Sequence, residues 1–322
     1  MRSLKLVEAL NEAIAEEMRI DQRVFVMGED VRVAAFGLTV DLAEEFGAER
    51  VRNMPICEGT IAGVAVGAAA AGMRPVVDFM MASFAFLAFD QFINQASMLR
   101  YVTGGQVSLP IVYFLQYGAK GSMAAQHSHS IHSMLMNVPG LKIVMPSTPA
   151  DAKGLMKTAI RDDNPVMFFV HGGLHKTSGE IPDGDYTVPF GVAKIVREGS
   201  DVTVVATGTM LGRVQKVADE YAKYGIGLEI IDPRSLVPLD KEAILRSVGK
   251  TGRLVVVDES HQTCGMAAEI CTLVAEEGFT SLKAPPRRVC SLDVPIPYSP
   301  PLEGYVLPDE KRISKAIEGL LD

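Results

Sequence analysis

The chain has 322 residues, 48% hydrophobic and 22% charged, so it is long enough for two globular domains and leaves little material for disordered tails. Its 31 basic and 39 acidic residues give a net charge of −8 without any Lys/Arg block, which argues against nucleic acid as a partner. Four scattered cysteines without a C-x-x-C pair argue against a disulfide framework and structural zinc, and favour a reducing, cytoplasmic location.

Short β-rich runs alternate with helical patterns along the chain, which predicts an α/β fold with mainly parallel sheets. In the first half the predicted strands are Val24–Met27, Pro75–Phe79, Ile111–Leu115, Lys142–Met145 and Val166–Val170. The predicted helices are Ser3–Arg19, Thr39–Phe46, Gly59–Gly72, Phe84–Tyr101 and Pro149–Arg161.

A domain boundary is predicted where this alternation stops, in the Gly- and Pro-rich stretch GGLHKTSGEIPDGDYTVPFG at 172–191. We place one domain at 1–175, a linker at 176–190 and a second domain at 191–322. Strands of the second domain are predicted at Val202–Ala206, Gly227–Ile231, Arg253–Asp258 and Arg288–Leu292. Its helices are predicted at Leu211–Tyr224, Lys241–Val248, Met266–Glu277 and Glu310–Leu321.

The segment PICEGTIAGVAVGAAAAGMRP, at 55–75, places one acid, Glu58, at the start of an uncharged run of Gly, Ala and Val. An acid beside so apolar a wall loses hydration, which suits a proton-transfer group. Alternatively, Glu58 stabilises the first helical turn through the helix dipole, and the segment alone does not separate these readings. Gly59, Gly63 and Gly67 recur every four residues and predict a helix face that another helix or a flat ligand approaches closely.

Neither this uncharged run nor the N-terminal segment predicts a membrane-spanning or targeting segment. The run from Gly59 to Met73 covers 15 residues, short of the roughly 20 that a spanning helix needs. The first 20 residues form an acidic amphipathic pattern that resembles neither a secretory signal nor an Arg-rich transit peptide.

Histidines are concentrated in the loop sequence QHSHSIH, at 126–132. Their spacing matches no zinc pattern, so a metal site is the weaker reading. His127 more plausibly faces a substrate, because an imidazole exchanges protons near neutral pH. His129 and His132 are equally well explained as polar residues without a function.

Two further polar clusters follow predicted strands. Glu29 and Asp30 come directly after the first strand, at the sheet edge where ligands usually bind, although an ordinary turn explains them equally well. Asp258 to His261 end a Val-rich strand, where they either cap the next helix or help to close an active site at a subunit contact.

Taken together, several segments resemble the beta subunit of the thiamine-diphosphate-dependent first component of 2-oxo acid and acetoin dehydrogenase complexes. The resemblance covers essentially the whole chain. The segments that carry it are VFVMGEDV, PICEGTIAGVAVGAAAAGMRPVVDF, DQFINQASMLRYVTGGQ, AAQHSHS, VPGLKIVMPSTPADAKGLMKTAIRDDNPV, IDPRSLVPLD and VVVDES. It implies a pyrimidine-binding domain followed by a transketolase C-terminal-like domain.

The resemblance also implies roles for individual residues. Glu58 matches the catalytic glutamate that contacts N1′ of the thiamine aminopyrimidine, and His127 matches a histidine credited with substrate protonation and transfer to the lipoyl group. The positions that match cofactor-binding residues are Glu29, Ile56, Glu58, Met80 and Phe84. A structural potassium ion is implied at Ile111, Ala159, Ile160, Asp162 and Asn164, where a plain helix-to-strand loop is the alternative reading.

The partners implied by the resemblance follow from a missing motif. The chain has no Gly-Asp-Gly followed by paired asparagines, the pattern that holds Mg²⁺ and the cofactor's diphosphate in thiamine-diphosphate enzymes. The resemblance therefore implies an alpha subunit that holds Mg²⁺, in an alpha-two beta-two heterotetramer, together with a lipoyl acyltransferase.

The implied reaction is cleavage of a carbon–carbon bond next to a carbonyl in a 2-oxo acid or acetoin, followed by transfer of the acyl or aldehyde unit to a lipoyl group. Two alternatives stay open: a carboligase of similar architecture without a lipoyl acceptor, and a catalytically silent partner that only stabilises an alpha chain. The chain departs from many relatives after the Phe-rich strand, where it has Val170, His171 and His175, and it also carries an unusual Lys120. These departures leave the substrate open.

Overall fold

The computed structural model describes residues 1–321, which form two open sheets with helices on their faces. The strands are β1 (Arg2–Lys5), β2 (Val24–Gly28), β3 (Val51–Asn53), β4 (Arg74–Met81), β5 (Val112–Tyr117), β6 (Lys142–Val144), β7 (Val166–His171), β8 (Ser178–Ile181), β9 (Lys194–Arg197), β10 (Val202–Ala206), β11 (Leu228–Asp232), β12 (Ser235–Val237), β13 (Leu254–His261) and β14 (Arg287–Ser291). The helices are α1 (Leu6–Ile20), α2 (Leu42–Phe46), α3 (Glu58–Ala70), α4 (Leu99–Val102), α5 (His132–Met136), α6 (Pro149–Arg161), α7 (Thr209–Ala222), α8 (Lys241–Thr251), α9 (Met266–Glu277), α10 (Pro300–Val306) and α11 (Glu310–Leu321).

Both large sheets are parallel except for one edge strand each, which confirms the predicted fold class. The first has the order β12-β6-β7-β5-β4-β2-β3, and the second has the order β14-β13-β10-β11-β9. The antiparallel edge strands are β12 and β9. Because β12 follows β11 in the chain but completes the first sheet, the second half of the chain also helps to build the first sheet.

The predicted domain boundaries at 175/176 and 190/191 stay a prediction, and the last residue of the predicted second domain, Asp322, lies outside the described residues. The predicted linker is not wholly irregular, because β8 lies within it and pairs antiparallel with β1. The N-terminal helix begins at Leu6 rather than Ser3 because the residues before it form β1.

One hydrophobic core joins the two halves of the chain. It contains side chains of the first sheet, such as Phe79 and Phe169, together with Ile244 of α8 and Ile270 of α9 from the second half. The outer face of the first sheet packs against α1 and α6, and the outer face of the second packs against α7 and α11. The two sheets are therefore held against each other by buried apolar side chains.

The helices that were predicted best have clear start and stop signals. Thr148 accepts a hydrogen bond from the Asp151 amide (3.2 Å) and Pro149 occupies the first turn of α6. At α8 the Asp240 side chain accepts from the Ala243 amide (3.0 Å), and Gly252 ends the helix in the left-handed conformation at φ 75°.

The predicted helix Phe84–Tyr101 is wrong as a single α-helix. The chain forms a 3₁₀ segment at Ala82–Ala88, a π-helical segment at Gln91–Ala96 and only then α4. The first two of these segments pack along α3 so closely that an added Cβ at Gly59 would lie 3.3 Å from the Leu87 carbonyl oxygen. Irregular helices of this kind are frequent at functional sites.

The face of Gly59, Gly63 and Gly67 is therefore only partly free for another molecule. An added Cβ at Gly63 would lie 3.1 Å from Oε1 of Gln91, so the helical segment that approaches Gly59 and Gly63 closely belongs to this same chain. Gly67 has open space at its Cβ position. No helix among residues 1–321 combines the length and the apolar character that crossing a bilayer requires.

Candidate active site

Several residues that the sequence analysis named in the first half of the chain lie along one edge of the larger sheet. Glu29 follows β2, Met80 lies at the end of β4, and His171 ends β7. Because β2, β4, β5 and β7 are parallel neighbours, their carboxyl ends meet at the same edge. This is the side where ligands bind in open parallel sheets.

Two acids, Glu29 and Glu58, are neighbours at this edge. Burial raises the pKa of Glu29, and the negative charges of Asp30 and Glu58 raise it further. Glu58 is the first residue of α3 and is half-buried. Within residues 1–321 neither acid has a salt-bridge partner, so this edge carries unneutralised negative charge beside an apolar helix.

Glu58 is not the N-cap of α3, so it can stabilise this helix only through its interaction with the helix dipole. The N-cap position belongs to Cys57, which makes no capping hydrogen bond with its side chain. An anion in the first turn is still favoured by the helix dipole. The carboxylate of Glu58 is thus held at the helix start with its oxygens free for another hydrogen-bond donor.

Met80 is held in an unusual backbone conformation beside this acid pair. Its φ of 58° lies in the left-handed region, and its amide donates to Oδ1 of Asp78 at 2.8 Å. Asp78 is buried, and burial raises its pKa to about 6, partly opposed by this hydrogen bond. Strained residues that the surrounding structure maintains are concentrated at binding sites. The cofactor-binding role of Met80 stays a prediction.

Phe84 and His127 come together, as a shared site requires. The ring of Phe84 lies edge-on to the His127 imidazole, with centroids 5.5 Å apart. Ile56 is 73% exposed in this chain, so it contributes to an apolar surface next to Glu58 rather than to the core.

The three histidines of the 126–132 loop point to three different places. His127 packs against Phe84 and His129 packs against Phe86, with centroids 5.3 Å apart. His132 is fully buried, and its Nε2 lies 3.3 Å from Oδ2 of Asp258. Among residues 1–321 no group of three His, Cys, Asp or Glu side chains could hold a metal.

Asp258 and Glu259, near the end of β13, connect the two halves of the chain. Glu259 accepts a hydrogen bond from the Ala119 amide (2.5 Å), and its Oε2 lies 2.7 Å from Nε2 of His171. Asp258 pairs with His132. The predicted capping role is wrong for both acids, because α9 begins after Gly265 without a side-chain cap.

Burial raises the pKa of both acids, but the paired histidine and the neighbouring hydrogen-bond donors together outweigh it. The charge and hydrogen bond of His171 bring the pKa of Glu259 below its usual value, and those of His132 do the same for Asp258. His261, at the end of the same strand, instead contacts the Leu292 carbonyl oxygen through Nδ1 at 2.8 Å.

An open groove of about 930 Å³ also lies between the two halves, but it is separate from the predicted site. Its lining includes Phe86, His129, Met134, Leu239, His261 and Cys264. None of Glu29, Ile56, Glu58, Met80, Phe84 or His127 lines it. The groove therefore gives no support to the predicted catalytic and cofactor-binding roles of these residues.

The five residues of the predicted potassium site lie close together between α6 and β7. The Ile160 and Asp162 carbonyl oxygens both accept from NH1 of Arg74, at 2.9 and 3.1 Å. The Ile111 oxygen accepts from the Val166 amide (2.8 Å), and the Ala159 oxygen accepts from the Asp162 amide (3.3 Å). Asn164 donates to the Asp162 carboxylate through its amide and side chain.

Sequence reasoning missed Gln116, and it noted Lys120 without giving it a role. Nζ of Lys120 donates to Oε1 of Gln116 at 2.8 Å. One signal was present, since Gln116 is a polar residue within the otherwise apolar strand VYFLQY. A buried amide near the end of a parallel strand indicates a polar contact at the ligand edge.

Comparison with known proteins gives consistent results over nearly the whole chain. The family model "transketolase, pyrimidine binding domain" matches residues 2–176, and "transketolase, C-terminal domain" matches residues 191–313. A split gene transketolase, solved as an inactive beta4 tetramer, superposes with a TM-score of 0.81 over 99% of this chain and 98% of that chain. At 23% identity this likeness shows the fold alone.

Three curated relatives share more sequence. The acetoin:2,6-dichlorophenolindophenol oxidoreductase subunit beta of Bacillus subtilis is 41% identical, over 97% of this chain and 95% of that protein. The 2-oxoisovalerate dehydrogenase subunit beta of the same organism is 40% identical over 100% of both chains. The pyruvate dehydrogenase E1 component subunit beta of Rhizobium meliloti is 44% identical, over 99% of this chain and 70% of that protein.

Proposed function

The chain belongs to the family of beta subunits of thiamine-diphosphate-dependent 2-oxo acid and acetoin dehydrogenases, and on this premise we propose its reaction. We infer that it is the beta subunit of an enzyme that cleaves the carbon–carbon bond next to a carbonyl and passes the acyl or aldehyde unit to a lipoyl group. The observation that carries the proposal is the pair Glu29 and Glu58 at the carboxyl edge of the first sheet, in a chain that aligns over its length with such subunits.

The residues at this edge fit the aminopyrimidine of thiamine diphosphate. Two neighbouring acids without a cationic partner among residues 1–321 match a nitrogen heterocycle that shares a proton with a carboxylate. Ile56, Met80 and Phe84 supply apolar surface for its flat face. When bound, thiamine diphosphate supplies the carbanion-stabilising chemistry that carbon–carbon cleavage needs.

In this proposal each side chain has a limited task. Glu58 shares a proton with a ring nitrogen of the aminopyrimidine, and Glu29, whose pKa is raised by burial and by its acidic neighbours, lies beside it at the same edge. Ile56, Met80 and Phe84 exclude water from the ring. His127, held edge-on by Phe84, donates a proton to the substrate's carbonyl oxygen.

We assign the diphosphate and Mg²⁺ to an alpha subunit in an alpha-two beta-two heterotetramer. Ile56 and Leu87 are 73% and 74% exposed next to Glu58 and α3, which leaves an apolar surface for a second subunit to cover. The three relatives reported above are all named as beta subunits, which also supports a partner chain. A lipoyl acyltransferase is the proposed acceptor component, and a cytoplasmic location is part of the same proposal.

We also propose a structural potassium ion at Ile111, Ala159, Ile160, Asp162 and Asn164. Oxygen atoms are the ligands that a hard cation prefers. The fit is incomplete, because Arg74 already donates to two of these carbonyl oxygens and uses one lone pair of each. Only the second lone pairs are left for an ion.

Coexpression with an alpha-type chain tests the proposal. The purified complex should contain thiamine diphosphate by mass spectrometry, potassium by elemental analysis, and activity toward pyruvate, 2-oxoisovalerate or acetoin with 2,6-dichlorophenolindophenol as electron acceptor. Glu58→Gln should lower turnover by roughly 10² to 10⁴, the usual range for a positioned acid–base group.

Glu49→Gln is the matched control, because the Glu49 side chain is 92% exposed and lies outside the site. Wild-type turnover in Glu58→Gln would remove Glu58 from the mechanism. A complex that assembles with an alpha chain but binds no thiamine diphosphate would overturn the proposed function itself.

A further inference from the structure

Lys120 is a cation without a carboxylate partner at the ligand edge of the first sheet. Its Nζ donates to Oε1 of Gln116 (2.8 Å), lies 3.7 Å from Sδ of Met81, and lies 5.0 Å from the centroid of the Phe36 ring. No acid among residues 1–321 forms a salt bridge with it, and burial lowers its pKa. Its polar contacts are therefore a neutral amide and a thioether.

Two fully buried lysines elsewhere in this fold do have carboxylate partners. Lys153 and Lys157 are each 1% exposed, and each forms salt bridges with carboxylates of α1, including Glu16. Taking an ammonium group out of water is costly unless a charge or several hydrogen bonds replace the lost hydration. Lys120 is half-buried and has no carboxylate partner, so an anionic ligand that displaces its remaining water would supply the missing counter-charge.

The side chain of Lys120 is fixed in place by the strand ends around it. Met81 and Gln116 are register partners on β4 and β5. A Cβ added to Gly172, directly after β7, would lie 2.4 Å from Cδ of Lys120, so the lysine stem fills the space that this glycine leaves. Phe36 reaches the ammonium from the loop after β2. Met81 is one residue from Met80, which connects this group to the proposed cofactor site.

A buried donor without an acceptor lies beside Lys120. Gln116 is 2% exposed, and its Nε2 has no hydrogen-bond partner while its Oε1 is bound to Lys120. The positive charges of Lys120 and His171 act on His175, whose pKa is lowered to about 4 by burial first and by these charges second. His175 is therefore neutral at pH 7 and adds no further positive charge.

We propose that Lys120 and Gln116 bind the carboxylate of the substrate, so that this enzyme acts on a 2-oxo acid rather than on neutral acetoin. A carboxylate has two acceptor oxygens, which match the ammonium and the buried amide N–H of these two residues. The inference rests on the proposed function and adds the substrate class to it. Lys120 is then a specificity-determining residue, separate from the residues that hold the cofactor.

The test compares substrates with and without a carboxylate in the complex with the alpha chain. Lys120→Met keeps the length of the side chain and removes its charge, Lys120→Arg keeps the charge, and Lys176→Met is a control at an exposed lysine. For pyruvate and 2-oxoisovalerate, Lys120→Met should raise KM about 10- to 100-fold, as expected for loss of a charge-assisted hydrogen bond, with kcat changed much less. Lys120→Arg should recover part of the loss, and any residual turnover of acetoin should not change.

Calorimetric titration of the same complexes with pyruvate, each also carrying Glu58→Gln to suppress turnover, gives a separate readout of binding. Wild type and Lys176→Met should bind, and Lys120→Met should bind at least tenfold more weakly. Equal effects of Lys120→Met on acetoin and 2-oxo acids, or unchanged pyruvate affinity, would overturn the inference. So would a wild-type complex that holds thiamine diphosphate and turns over acetoin but binds neither 2-oxo acid. Absence of thiamine diphosphate from the complex would instead refute the proposed function, and the calorimetric comparison would still decide the role of Lys120.

Discussion

Replacing Glu259 by leucine should destabilise the chain strongly, because this side chain joins the two sheets through a buried contact with His171. Glu259 is 6% exposed and His171 is 2% exposed, and their paired atoms lie 2.7 Å apart. The substitution leaves the His171 imidazole and the Ala119 amide without their acceptor. Two buried donors left unpaired cost about 1–3 kcal/mol each, in line with the roughly 3–5 kcal/mol lost when one partner of a buried pair is removed.

The assay is urea denaturation followed by far-ultraviolet circular dichroism, since the chain contains no tryptophan to report by fluorescence. Glu259→Leu should lower the free energy of unfolding by about 3–5 kcal/mol. Glu276→Leu, at an exposed acid of α9, should change it by less than about 0.5 kcal/mol.

A double-mutant cycle separates the pair from the rest of the site. Glu259→Leu combined with His171→Leu should cost clearly less than the two single changes added together, because apolar side chains then replace both polar partners. A single-variant cost below about 1 kcal/mol would refute the reasoning, and so would additivity of the two costs within about 0.5 kcal/mol.

Two further predictions concern the same fold. The pKa values of Asp258 and Glu259 are lower in the folded chain than in the unfolded one, so their stabilising effect is complete above about pH 4.5 and is lost as pH falls below it. Thermal melting between pH 7 and pH 3 should show this loss, and an acid slope as steep in Glu259→Leu as in wild type would contradict the role of Glu259. Gly28→Ala should destabilise the chain by about 1–3 kcal/mol, because the new Cβ would lie 2.4 Å from the Asp78 carbonyl oxygen between β2 and β4. Gly67→Ala, which meets open space on α3, should instead stabilise it by about 0.5–1 kcal/mol, and urea denaturation showing equal effects at both glycines would refute this assignment.

Several features of this protein follow from local sequence alone. Alternation of apolar strands with amphipathic helices predicted the α/β class, and Thr148 and Asp240 cap the helices that begin directly after them. Glu58 stood out because a single acid precedes fifteen uncharged residues. These signals are readable because periodicity, capping and charge placement act between residues close in the chain.

Other features were decided only by tertiary packing. The contacts of His132 with Asp258 and of His171 with Glu259 join residues 126 and 88 positions apart, and no local pattern selects those partners. The same holds for β12, which leaves the second half of the chain to complete the first sheet. Lys120 carries no periodic or motif signal, and only its position among the ends of β4, β5 and β7 reveals a cation without a counter-charge. Long-range proximity determines which polar groups are buried together, and burial without a partner is what indicates a ligand.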